Sequence, residues 1–121
     1  MSNEVPDLKL TWERCEGEWS LLATCDPPPN AAGVYVIWEP LMFVRGRRAV
    51  CVGQGAIRDR LAHHTGDERI SYHGKGSLLV TWAACPADTR EGVVRFLAAA
   101  YRPCEGQPDP RVEPVSVNLP I

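Results

Sequence analysis

This chain has no hydrophobic run long enough to cross a bilayer. Its fully apolar stretches are short, Val34 to Trp38 covering five residues and Phe96 to Tyr101 six, against the roughly 20 that a spanning helix needs. No basic segment followed by an apolar one opens the sequence, so no secretory signal is visible. Cysteine pairs are also missing. The five cysteines (Cys15, Cys25, Cys51, Cys85 and Cys104) are odd in number and never spaced C-x-x-C. That spacing argues against a disulfide framework and a thiolate zinc site, and leaves reduced, buried thiols as the expectation. Strong charge of one sign is lacking too, since 13 Lys and Arg face 15 Asp and Glu. Together these absences lead to the expectation of a cytoplasmic protein without a membrane partner.

The 121 residues are 45% hydrophobic, enough for one domain with a real core. We therefore read residues 1–121 as a single domain. Charge is unevenly spread. Residues 1–30 hold two basic against six acidic side chains, residues 31–80 seven against four, and residues 81–121 four against five. The middle third is thus where a phosphate-bearing partner would be met.

Alternation in Leu8-Lys9-Leu10-Thr11-Trp12 predicts a short strand, and residues 19–24 a strand or a helical turn. The prolines of Asp26-Pro27-Pro28-Pro29-Asn30 break the chain. Strands are expected over residues 33–38, 49–53 and 77–84. A helix is expected over about residues 56–65, with Gly66 as its stop. In it Ile57, Leu61 and His64 share one face, with Arg60 beside that stripe. A polar loop should follow over residues 67–76. A second helix is expected over residues 88–102, opened by a capping box of Asp88 and Glu91. The tail from Pro103 holds five prolines and cannot be regular helix. The fold class expected is α+β, a small, antiparallel-rich, three-stranded sheet flanked by helices.

Polar residues in this frame carry a resemblance. Gly33-Val34-Tyr35 on the first long strand, Cys51-Val52-Gly53 on the second, and Arg60 and His64 on the helix after it resemble the GIY-YIG nuclease family. The likeness covers residues 31–120, with residues 1–30 as an extension, and includes Asn118 near the C-terminus. It implies a sheet-and-helix fold, phosphodiester cleavage, and one Mg²⁺ or Mn²⁺ ion held by a glutamate on the second helix. By the same likeness Tyr35 would position or deprotonate water, and Arg60 would grip phosphate through its planar fork.

Two positions depart from that pattern. A family tyrosine is Cys51 here, and the metal-binding glutamate falls on Val94. A thiol at 51 is either a core residue or, ionised beside Arg60, a base. A valine offers no oxygen to a hard cation. Glu91, one helical turn earlier, is the nearest carboxylate and could substitute as the metal ligand. Catalytic candidates are therefore Tyr35, Cys51, Arg60 and His64. Phosphate-binding candidates are Arg60, His64, Arg58, Lys75 and Asn118, with Arg45, Arg47, Arg48, Arg69 and His73 extending the surface. The leading expectation is a degenerate, pseudoenzyme-like domain that binds nucleic acid, DNA ahead of RNA. The alternatives are a metal-dependent endonuclease using Glu91, and a protein-interaction module on a nuclease scaffold.

Overall fold

The computed structural model describes residues 6–13, 20–22, 25–40, 47–72, 77–106 and 109–120. The chain is α+β. Its strands are β1 (Trp12–Glu13), β2 (Ser20–Leu21), β3 (Ala32–Pro40), β4 (Arg47–Ala56) and β5 (Leu79–Ala84). Its helices are α1 (Ile57–Thr65), α2 (Glu68–Ser71) and α3 (Arg90–Tyr101). The sheet runs β1-β5-β3-β4, with β2 also on β5, and every pairing is antiparallel. The expected three strands form its centre. Two-residue β1 and β2 enlarge it: β1 starts where the strand expected over residues 8–12 ends, and β2 lies within residues 19–24, expected as a strand or a helical turn. No helix among the described residues is long and apolar enough to cross a membrane.

Strand β3 is buried almost throughout, because it is central and covered on both faces. Val34, Val36 and Trp38 point into one core with Val93 and Leu97 of α3. Tyr35 and Ile37 point into the other, with Ile57 and Leu61 of α1 and Ile70 of α2. The close β3–β5 approach depends on Gly33, where an added Cβ would lie 1.9 Å from the Ala83 carbonyl oxygen.

A bulge sets the phase of β4. Ile37 pairs with Cys51 while Trp38 pairs with Ala49, so Val50 is the extra residue. Val50 and Cys51 consequently enter the same core, Val52 packs with the α3 core, and Gly53 sits opposite Tyr35. Without the extra residue, regular alternation would turn Cys51 and Gly53 away from Tyr35.

Ile57, Leu61 and His64 are the buried residues of α1, and Gly66 closes it with right-handed backbone geometry. The stretch read as a loop contains α2, capped by Asp67, whose carboxylate accepts from the Arg69 N–H at 3.0 Å. The expected capping box on α3 is not formed. The N-cap is Thr89, and its hydroxyl turns back to donate to the Pro86 carbonyl at 2.9 Å. Beyond α3 the chain crosses the edge of β4, where Cys104 and Glu105 donate backbone N–H groups to Ala49 and Val50 carbonyls. It returns to bridge Leu8 through Val117.

Candidate functional site

A cleft of about 260 Å³ opens where α1, α2, β4, α3 and the tail meet. Tyr35, Cys51, Arg60 and His64 all line it, and so does Val94. Tyr35 reaches it by crossing over Gly53. A Cβ at residue 53 would stand 2.2 Å from the phenolic oxygen. Glycine there is thus a requirement of the site.

The Tyr35 hydroxyl lies 2.6 Å from His64 Nε2 in a buried contact. Cys51 Sγ is 4.0 Å from the same nitrogen. His64 Nδ1 is buried with no hydrogen-bond partner among the described residues. A buried N–H without an acceptor is the costlier orphan. We therefore assign the imidazole proton to Nε2, donating to the Tyr35 oxygen. The phenolic proton then points away from His64 Nε2, and the Tyr35 side chain lines the cleft beside Arg60.

Burial dominates the protonation states. It raises the Tyr35 phenol above its ordinary value, with Arg60 opposing the rise by hydrogen bonding and by charge. It pushes the Cys51 thiol up to about 11, again against Arg60. It pushes the His64 imidazole down to about 4, with the charges of Arg60 and His63 adding to the effect. At neutral pH the group is therefore phenol, thiol and neutral imidazole. It can donate and accept hydrogen bonds, but it contains neither phenolate nor thiolate to act as a base.

The cleft also has charged walls. Arg60 and Arg69 face Asp67 and Glu105. Asp67 pairs with Arg69 at 3.3 Å, and the Arg69 hydrogen bonds hold its carboxyl below the usual range. No carboxylate among the described residues forms an ion pair with Arg60. Asp67 and Glu105 went unrecognised in the sequence. The Gly66-Asp67 step before a short helical turn was a usable cap signal. Glu105 is delivered by tail-to-β4 pairing, which leaves no local trace.

Other candidates lie elsewhere. Arg58 is committed to the proline segment, donating to the Pro27 carbonyl at 2.7 Å and pairing with Asp26 at 2.8 Å. Asn118 is structural. Its Oδ1 accepts from Leu10 N–H at 2.6 Å, and its Nδ2 donates to the Leu10 carbonyl at 2.8 Å. Arg48 pairs with Glu39. Lys75, His73 and Arg45 lie outside the described residues.

Glu91 does not line the Tyr35 cleft. It borders a neighbouring hollow of about 180 Å³ with Gln54, Val94, Asp109 and Val112. The donor set accordingly does not fit the Mg²⁺ or Mn²⁺ ion that the family likeness implies. Val94 supplies no oxygen, Asp67 is engaged by Arg69, and Glu91 faces another hollow. Among the described residues no three His, Cys, Asp or Glu side chains are grouped to hold a metal.

No protein-family model, curated protein or solved structure matches this chain.

Proposed function

We propose that this chain is a GIY-YIG-like domain that has kept the phosphate-gripping part of such a site and lost its hydrolytic part. On this reading it binds nucleic acid, DNA ahead of RNA, and cleaves it slowly or not at all. One observation carries the reading: Arg60, which forms no ion pair with a carboxylate among the described residues, lines the same cleft as Tyr35. A phosphate oxygen there would accept from the arginine fork and the phenol. Hydrolysis would need a base and a Lewis acid at the same place. Cys51 and His64 are poor bases in their buried states, and Val94 stands where the family likeness puts a metal ligand.

The test is binding of a labelled oligonucleotide to wild type and Arg60→Ala over a salt series, followed by incubation with Mg²⁺ or Mn²⁺ at protein excess. Arg60→Ala should weaken binding and flatten the log–log salt slope by about 0.9, the share of one phosphate contact on duplex. Cleavage should lag an intact family enzyme by at least about 10⁴-fold. Affinity identical to wild type at every salt concentration would remove Arg60 from the site. Robust metal-dependent turnover abolished by Glu91→Ala would replace this reading with that of an active nuclease.

A further inference from the structure

The phosphate reading leaves open which kind of phosphate the cleft receives. Size bears on it first. The cleft holds about 260 Å³, just below the roughly 300–1,000 Å³ usual for small-molecule sites. That is room for one phosphate and its sugar, not for a strand tracked over several phosphates. One of its walls is the tail, through Pro103, Glu105 and Gly106. The wall is pinned to β4, with the Cys104 N–H donating to the Ala49 carbonyl at 3.3 Å and the Glu105 N–H to the Val50 carbonyl at 2.8 Å.

Charge bears on it second. A polynucleotide is held chiefly by many basic contacts to successive phosphates. The cleft is lined by two arginines. Arg69 pairs with Asp67 at 3.3 Å, whereas Arg60 forms no ion pair with a carboxylate among the described residues. Asp67 and Glu105 also line the cleft, and the charge of each raises the Cys51 thiol, so both are felt inside it. A strand threaded through would carry further phosphates past these carboxylates on both sides of the one at Arg60. A strand end would carry them on one side only. A terminal phosphate monoester also offers more to a single cation. It has three acceptor oxygens and a charge of about −1.5 to −2 at pH 7, against the single charge of an internal diester. The Arg60 fork can take two of those oxygens. The Tyr35 phenol, kept un-ionised by burial, can donate to the third. Val52, Ile70 and Val94 supply an apolar wall for the sugar.

We infer that the cleft takes the end of a nucleic-acid strand, with a terminal phosphate monoester at Arg60 and Tyr35, in preference to an internal phosphodiester. This rests on the phosphate reading above. The test uses oligothymidylate strands about ten nucleotides long that carry a 5′ phosphate, a 3′ phosphate, or hydroxyls at both ends. Thymidine 5′-monophosphate serves as the competitor. Wild type should bind at least one phosphorylated strand about 10- to 150-fold tighter than the hydroxyl-ended one, the range for hydrogen bonds to a charged group. Arg60→Ala, a change at an exposed helix position, should abolish that preference. Arg60→Lys, which keeps the charge and loses the fork, should retain only part of it. Equal affinity of wild type for all three strands would overturn the inference, and so would a preference that survives Arg60→Ala. Thymidine monophosphate displacing the strand at equal concentration would also overturn it, by making a free nucleotide the ligand. The phosphate reading would still stand if Arg60→Ala weakened all three strands alike. Failure of wild type to bind any strand would overturn both.

Discussion

The two faces of the sheet are built from the same strands and do different work. Toward α3, strand β3 presents Val34, Val36 and Trp38 to Val93 and Leu97, and the core there is apolar. On this face Trp38 Nε1 donates to Thr81 Oγ1 at 3.1 Å. Toward α1, the same strand presents Tyr35, which packs with Cys51 and contacts the buried His64, whose Nδ1 has no hydrogen-bond partner among the described residues. Burying polar groups without full partnership lowers stability. Both faces bury a hydrophobic core, and the α1 face adds to its core a cleft lined by hydrogen-bonding groups.

That contrast can be broken by mutation. The largest expected effect is on the α3 face. Trp38→Ala removes a fully buried ring that stacks edge-on against Tyr101 with centroids 4.8 Å apart. It should cost about 3–5 kcal/mol in denaturant unfolding. The cleft variant Arg60→Ala, a change at an exposed side chain, should alter stability by no more than about 0.5 kcal/mol while weakening oligonucleotide binding. Equal stability losses in the two variants would dissolve the division of labour.

The next effect is on pH dependence. His64 is nearly fully buried, and its folded value of about 4 lies below its ordinary 6.5. Between these limits the unfolded chain binds a proton that the folded chain refuses. The contribution is therefore whole above about pH 6.5 and is lost as pH falls toward 4, reaching at most about 3 kcal/mol. His64→Leu removes it. The wild type should lose more stability than the variant between pH 6.5 and pH 4. Parallel losses would show that His64 protonates freely in the folded state.

Gly53→Ala sharpens the comparison from the backbone side. The added methyl would meet the Tyr35 hydroxyl and should cost about 1–3 kcal/mol. It should also displace the phenol from His64, seen as a shift of the His64 ring resonances. Smallest is a reactivity difference. Cys104 is exposed, whereas Cys51 is buried with its thiol pushed up to about 11. Iodoacetamide should therefore modify Cys104 well before Cys51. Early modification of Cys51 would mean that the cleft opens further than its packing allows.

Much of this architecture was legible in the residues. The three central strands and α1 follow from apolar runs, turn residues and the Ile57–Leu61–His64 spacing. The helical positions of Arg60 and His64 brought them to the cleft with Tyr35 as the periodicity required. The β4 bulge was not legible, because Ala49-Val50-Cys51-Val52 is apolar at every position and so carries no phase. The facing of Cys51 and Gly53 is a tertiary outcome of pairing with β3. Asn118 and Arg58 misled for the opposite reason. Their residue types suit phosphate, but distant partners, Leu10 and the Asp26–Pro27 segment, had already claimed them. Glu91 sits one turn from Val94 as helical geometry demands, yet it borders a different hollow. Spacing along a helix does not reveal which cavity a side chain serves.

The central claim is that the α1 face, at the Tyr35 cleft, is where nucleic acid binds. Its most direct test is a nitrogen–proton NMR titration of the labelled protein with a short oligonucleotide. The account expects the largest shifts at the Arg60 side chain, the His64 ring and the backbone amides of Gly53 and Arg69, with Trp38 Nε1 and Val117 unmoved. Shifts concentrated on the α3 face or the tail, with Arg60 and His64 silent, would contradict it.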